Sequence, residues 1–123
     1  MATNVITVNA SLTVANGNFT ARYTSGALQI DQVIAGGGAP GFVNIGTSEE
    51  TVSFGDITTP GYVFIRNLDD TNYVTLGPDS TGMVAAIKLK AGEVALFRTD
   101  DSATWKAQAN TAACDLSFYV LED

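Results

Sequence analysis

The side chains in this sequence that could do chemistry are mostly carboxylates in short polar segments. Asp69 and Asp70 lie within the stretch Asn67–Asn72, and the pairs Glu49-Glu50 and Asp100-Asp101 lie in similar surroundings. General acid–base catalysis needs two acids held at a fixed distance in a cleft. Asp and Asn also favour turns, because their side chains bond the nearby backbone. We therefore expect these acids to shape turns.

A calcium site is the alternative for the same region. Its ligands would be the side-chain oxygens of Asp69, Asp70, Asn72 and Asp79. The twelve-residue calcium loop with its central Gly and closing Glu is absent, so the turn interpretation is preferred.

The sequence lacks the residue types that several other kinds of active site need. The chain of 123 residues has one Cys and no His, which argues against a zinc site and against a His-based nucleophilic triad. The glycine run in residues 36–41 lacks the Lys-Ser/Thr pair of a phosphate-binding loop and predicts a flexible loop. We expect Cys114 to be a small core residue. The sequence predicts no catalytic residue, no cofactor and no bound metal.

The net charge restricts the kinds of partner that the protein can bind. The formal net charge is −7, which argues against nucleic acid and against anionic membranes. Four of the six basic residues fall between Lys88 and Lys106, so a basic stretch could meet an acidic neighbour or form a solvated face. Residues 1–11 show no signal-peptide pattern, so we expect a protein made in a cytosol.

Period-2 alternation of apolar and polar residues dominates the chain and predicts β-strands with one buried side. Residues 6–14 alternate strictly, and Asn16-Gly17 then predicts a hairpin with a return strand from Phe19 to Thr24. Short strands recur about every ten residues, which is typical of a sandwich or barrel. We expect an all-β, jelly-roll-like β-sandwich of about 8–10 antiparallel strands, formed as a single domain over residues 1–123.

The apolar positions of these strands give a predicted core and a predicted surface. Tyr62–Ile65 is apolar on both faces, so it is either a central strand or one covered by a partner. Only 15% of residues are charged, which fits a surface covered by partners or simply a Thr-rich one. Sugar stacking or a wet core edge are alternatives for Tyr62, Tyr73, Trp105 and Tyr119. The residues expected to be buried are Leu12, Ile30, Ile87, Leu96, Leu116 and Phe118.

Two segments in the second half of the chain resemble small structural proteins of tailed bacteriophages. They are Thr58–Gly77, which contains the Asn67–Asn72 turn, and Ile87–Arg98, a strand, Gly turn and strand. The resemblance implies a virion component, such as a head decoration or cement protein, a head-fibre base or a tail accessory. It also implies a homo-oligomer, preferably a trimer, that contacts other virion proteins such as the major capsid protein.

The function expected from the sequence is therefore non-enzymatic and structural, acting by surface complementarity. The alternative is a carbohydrate-binding or receptor-binding β-sandwich module. The residues expected at an oligomer or partner interface are Tyr62, Phe64, Tyr73, Lys88 and Lys90.

Overall fold

A computed structural model of the chain describes residues 5–34, 36–37, 41–54 and 57–123. Every element in this part of the chain is a β-strand, and the strands pair antiparallel, so the predicted all-β class is confirmed. The strands are β1 (Val5–Val8), β2 (Ser11–Asn16), β3 (Phe19–Thr24), β4 (Leu28–Asp31), β5 (Phe42–Ile45), β6 (Glu50–Thr51), β7 (Pro60–Asn67), β8 (Val74–Pro78), β9 (Ile87–Leu89), β10 (Val94–Arg98), β11 (Trp105–Ala109) and β12 (Cys114–Glu122). The described residues include no helix long and apolar enough to cross a membrane.

The chain divides into two compact units, residues 1–35 and residues 36–123. We call the second unit the body. The sequence predicted one sandwich domain over residues 1–123, and this boundary stays a prediction. In the described residues, the two four-stranded sheets lie in the body and the two-stranded sheets lie in the first unit.

The first unit contains a β-hairpin that we call the N-terminal ribbon (residues 5–34). Strand β2 pairs with β3, and β1 pairs with β4. The predicted hairpin and its return strand are confirmed. Its two-residue loop is Gly17-Asn18, one position later than the Asn16-Gly17 signal suggested, because Asn16 still pairs with Phe19 and Gly17 takes the positive φ of 60°. Gly at the first loop position is the type II′ choice.

The body consists of two four-stranded sheets in its described part. Sheet I has the order β10-β7-β12-β5, and sheet II has the order β6-β11-β8-β9. The pairs β5–β12, β6–β11, β7–β10 and β8–β9 are nested, as if one long hairpin had been folded over. The predicted β-sandwich is consistent with this arrangement.

The core lies between the two sheets. Sheet I contributes Val63, Ile65, Leu116, Phe118 and Val120, and sheet II contributes Val74, Leu76, Leu89 and Ala107. Phe54 packs edge-on against Phe118, with ring centroids 6.2 Å apart. Burial of about ten such apolar side chains is the main source of stability for a domain of this size.

The predicted core is only partly right. Leu116 and Phe118 are buried as expected, whereas Ile30 and Ile87 are half-buried. Leu12 is 69% exposed and Leu96 is 40% exposed, so both predictions were wrong. Leu12 belongs to the two-stranded sheet of β2 and β3. In β10 the inward positions are Ala95 and Phe97, which shifts the strand's phase by one residue.

Two predicted loops can also be compared with the structure. Gly77-Pro78 was expected in a turn but ends β8, and the chain turns after it, where Thr81 and Gly82 have φ of 87° and 116°. The flexible loop predicted for residues 36–41 falls partly on residues 38–40, which lie outside the described residues.

Candidate interaction surface

The outer face of sheet I carries an exposed apolar surface that we call the outer patch. At its centre Phe64 of β7 lies directly between Leu96 of β10 and Tyr119 of β12 in the strand register. Directly opposed residues on neighbouring strands share a face and touch. Val94 and Phe42 extend the same face on β10 and β5. All five side chains are exposed, Phe64 by 44% and Tyr119 by 54%.

The outer patch exists because β7 is apolar at successive positions. Val63 and Ile65 point into the core, whereas Phe64 points away from it. The sequence predicted a central strand or one covered by a partner. The structure confirms the central position, since β7 lies between β10 and β12. Its outer side has no covering layer in the described part of the chain.

A charged group borders the outer patch at one end. Arg98 lies over the Tyr62 ring, 4.6 Å from its centroid, and its guanidinium is 2.6 Å from the Asp123 carboxylate. The hydrogen bond to Asp123, together with the nearby Tyr62, raises the pKa of Arg98 above its ordinary value. This side chain is therefore a fixed cation with its own counter-ion at the rim.

The five residues expected at an interface fall into two groups. Tyr62 and Phe64 lie on sheet I, with Phe64 at the centre of the outer patch. Tyr73 and Lys88 belong with sheet II, where the Lys88 ammonium lies 4.1 Å from the centroid of the Tyr73 ring. Lys90 is exposed just after β9. The structure does not bring these two groups together on one sheet.

The basic stretch is partly engaged within the chain. Besides Arg98 with Asp123, Lys106 lies 3.8 Å from an Asp79 carboxylate oxygen. These contacts reduce the positive charge that this stretch offers to an acidic neighbour.

The acidic turn at Asn67–Asn72 is held by hydrogen bonds among its own residues. The Asp69 carboxylate accepts from the backbone N–H of Asn72 at 2.6 Å and from that of Thr71 at 3.0 Å. These bonds, that from Asn72 first, lower the pKa of Asp69 below its usual value. Within the described residues, no group of three or more His, Cys, Asp or Glu side chains could hold a metal ion.

Buried Asn67 anchors this turn by hydrogen bonds. Its side-chain amide donates to the Asn72 carbonyl at 2.9 Å and to the Leu89 carbonyl at 3.1 Å. Its side-chain oxygen accepts from the Asp69 N–H at 3.0 Å. Asn67 is fully buried, and its polar side chain is satisfied on all sides. We call these three hydrogen bonds the Asn67 clamp. The sequence predicted the turn but not the clamp, because an Asn in a polar run gives no sign that it is buried.

Cys114 and Trp105 are placed as structural residues. Cys114 is buried, and burial first, then the nearby Asp69 and Asp115 carboxylates, raise the pKa of its thiol. A raised pKa lowers the thiolate fraction and therefore the reactivity. The Trp105 ring packs on Phe97 with centroids 5.1 Å apart, and its indole N–H donates to the Thr99 hydroxyl at 2.7 Å.

Sequence reasoning missed most of the outer patch. It named Phe64 but assigned Leu96 to the core and singled out Tyr119 only as an aromatic. A usable signal was present: β10 is apolar at both alternating series, Val94 and Leu96 as well as Ala95 and Phe97. Such a strand next to a two-sided β7 indicates an apolar outer face.

Comparison of the chain with protein-family models, with curated proteins and with solved structures found no match.

Proposed function

We propose that this protein is a non-enzymatic structural component of a bacteriophage virion, a capsid decoration or cement protein or a fibre-base protein. The observation that carries the proposal is the outer patch. Contiguous exposed apolar surface on a soluble domain marks an interaction site when it is more than scattered single residues. Here Phe64 and its neighbours form one continuous row across three strands.

The proposed action is attachment by surface complementarity. The outer patch meets another virion protein, such as the major capsid protein, and Arg98 at the rim fixes the orientation. A protein that binds only the assembled shell stabilises that shell by linkage. The exposed apolar sheet face and the internally bonded acidic turn suit such a role better than they suit catalysis.

The architecture of the body supports the proposal at the level of fold. We infer that the nested pairs from β5–β12 to β8–β9 make the body a jelly roll. Jelly rolls are common in viral capsid proteins and also in lectins. Since a fold does not determine a function, the outer patch carries the argument and the fold only agrees with it.

The direct test is localisation. Particles purified from cells that produce the protein are analysed by mass spectrometry and immunogold labelling. We expect the protein on the particles in many copies, and its gene beside capsid and portal genes. Recovery only in the particle-free supernatant would refute the proposal.

A matched pair of variants tests the outer patch itself. Phe64→Asp places a charge at the centre of the patch and should abolish binding to the particles. Leu68→Asp makes the same kind of change at a side chain of similar exposure, 46% against 44%, in the acidic turn. Leu68→Asp should bind normally. Equal binding by both variants would show that attachment uses another surface.

Glycan binding is a second candidate function. It is favoured by a polar groove of about 310 Å³ beside sheet II, lined by Tyr73, Thr75, Gln108, Ala109, Asn110 and Thr111. Grooves with aromatic and amide side chains suit sugars, although Lys88 lies over the Tyr73 ring. A glycan array separates the two candidates: specific binding that Tyr73→Ala removes would support the module, and a blank array would count against it.

A further inference from the structure

The N-terminal ribbon has almost no core of its own. Within the described part of the first unit, Ile6 is the buried apolar residue, whereas Leu12, Phe19 and Tyr23 are 69%, 65% and 70% exposed. A two-stranded hairpin is marginally stable in water and needs further strands or a packing layer. In the described part of the ribbon, these three large apolar side chains are therefore left mostly exposed.

Apolar side chains are concentrated on matched positions of the ribbon. The directly opposed pairs include Ile6 with Ile30, Val8 with Leu28, Leu12 with Tyr23 and Val14 with Ala21. Between the two paired segments, residues 25–27 lie opposite residues 9–10, and the Ser25 N–H donates to the Ala10 carbonyl at 2.9 Å. Three residues of the return strand thus lie opposite two residues of the first strand. One extra residue of this kind forms a β-bulge, which shifts the alternation of the return strand by one position. As a result, even-numbered residues of β1 meet Leu28 and Ile30, although even-numbered residues of β2 meet Ala21 and Tyr23.

The edges of the ribbon are open as well as its face. Each of its two sheets is two-stranded, so each strand has one edge that no further strand pairs in the described residues. Natural proteins protect open edges with Lys or Pro. Residues 1–35 contain neither.

The ribbon and the body differ in net charge. Residues 1–35 hold one basic residue, Arg22, and one acidic residue, Asp31, so the whole net charge of −7 lies in residues 36–123. Two bodies repel one another, whereas two ribbons meet without a net charge between them. The first unit is also not a disordered tail by composition, because disordered segments are rich in charge and poor in β-branched residues.

We propose that the N-terminal ribbon joins copies of this chain, its apolar face and open edges being covered by the ribbon of a second copy. The inference rests on the proposed function, since the resemblance to phage structural proteins implies a homo-oligomer, and it names the surface that joins the copies. A second copy fits best because its ribbon is neutral, apolar on the matching positions and open at the same edges. A nucleic acid or an anionic membrane would need a basic surface, and Arg22 is a single cation.

The test uses two double variants of the full chain, each of which leaves the net charge unchanged. Leu12→Lys with Tyr23→Glu puts an ion pair on the apolar face at directly opposed positions, where opposite charges favour strand pairing. Ser11→Lys with Thr24→Glu puts the same pair one residue along, on the other face. Analytical ultracentrifugation at micromolar concentration gives the mass, and the fluorescence of Trp105, the single tryptophan, shows that the body remains folded.

The expected results separate the inference from the proposed function. Wild type and the Ser11/Thr24 variant should sediment at a multiple of 12.8 kDa, and the Leu12/Tyr23 variant at 12.8 kDa, with the same Trp105 spectrum. If the Leu12/Tyr23 variant stays assembled, the ribbon is not the joining surface, although the protein can still attach to particles. A monomeric wild type would overturn both this inference and the homo-oligomer, while particle attachment would be decided by the Phe64→Asp experiment. An alanine pair at Leu12 and Tyr23 should also dissociate the copies, which excludes an effect of the new charges alone.

Discussion

Replacing Asn67 by Ala should destabilise the body more than any other polar substitution that the structure suggests. The side chain makes three hydrogen bonds, to the Asn72 and Leu89 carbonyls and from the Asp69 N–H. A net hydrogen bond is worth about 0.5–1.5 kcal/mol, so the loss should be roughly 2–4 kcal/mol. The backbone bonds of residue 67 to Glu93 and Gly92 remain in the variant. The loss therefore measures the side chain alone.

The assay is urea unfolding followed through Trp105 fluorescence, with the free energy of unfolding taken by linear extrapolation. In a domain of this size each kcal/mol lowers Tm by about 4–8 °C, so Tm should fall by at least about 8 °C. Asn44→Ala is the control, because the exposed Asn44 side chain makes one bond, to Asp115 at 2.8 Å. Its effect should stay within about 0.5 kcal/mol. An equally small loss for Asn67→Ala would refute the clamp.

Asn67→Asp makes a sharper form of the same test. The new carboxyl would be buried near Asp69, and burial and like charge both raise a carboxyl pKa. An acid whose pKa is raised in the folded state binds more protons there than when unfolded. The destabilisation should therefore be smallest in acid and grow as the pH rises through the raised pKa. A loss that is equal at pH 4 and pH 7 would show that the position is not buried.

Four further predictions concern packing and the acidic turn. Gly77→Ala should cost at least about 1–3 kcal/mol, because a Cβ there would lie 1.7 Å from the Val84 carbonyl oxygen; an unchanged urea midpoint would refute that crossing. Leu116→Ala should cost about 2–5 kcal/mol, whereas Leu96→Ala on the outer patch should cost far less, and equal losses would mean that the phase of β10 is misassigned. The lowered pKa of Asp69 means that its carboxylate stabilises the folded state above its unfolded pKa of about 3.9. This stability is lost as the pH falls through the lower pKa of the folded state. Asp69→Ala should therefore flatten the acid limb of the curve of unfolding free energy against pH. Calcium should leave the melting temperature unchanged, and a rise of several degrees would reinstate a metal site.

The strands themselves could be predicted from the sequence because period-2 alternation is a local property. The strand over residues 6–14 was found in this way, whereas the hairpin was predicted from Asn16-Gly17 and the central strand β7 from its two apolar faces. The loop register at Gly17 was off by one, since Asn16-Gly17 and Gly17-Asn18 both suit a two-residue turn. Gly77 was read as a turn residue, but it is a strand position where another segment of backbone crosses closely. That segment is the loop that follows β8, since Val84 lies seven residues after Gly77, and a close approach of two backbone segments is not visible in the alternation of apolar and polar residues.

Burial was harder to predict than strand position, and the reason is physical. Alternation shows that a strand has an apolar face, but it does not show which layer covers that face. Leu12 and Leu116 both stand on apolar faces, yet Leu116 is fully buried under the second sheet and Leu12 is 69% exposed. The Asn67 clamp was invisible for the opposite reason, because its partners come from Asn72 and Leu89, and only the fold brings Leu89 near.

The two failed burial predictions therefore carry information about function. Leu12 lies on the N-terminal ribbon and Leu96 on the outer patch, the two surfaces argued to be covered by other molecules. A core and an interface draw on the same apolar side chains, so a sequence pattern cannot separate them. A structure can, because it shows whether the covering layer belongs to the same chain. Where local rules fail in a consistent fold, the failure is expected at functional positions. An apolar residue placed in the core by its pattern and on the surface by its fold is thus the residue whose substitution should change assembly and leave stability nearly untouched.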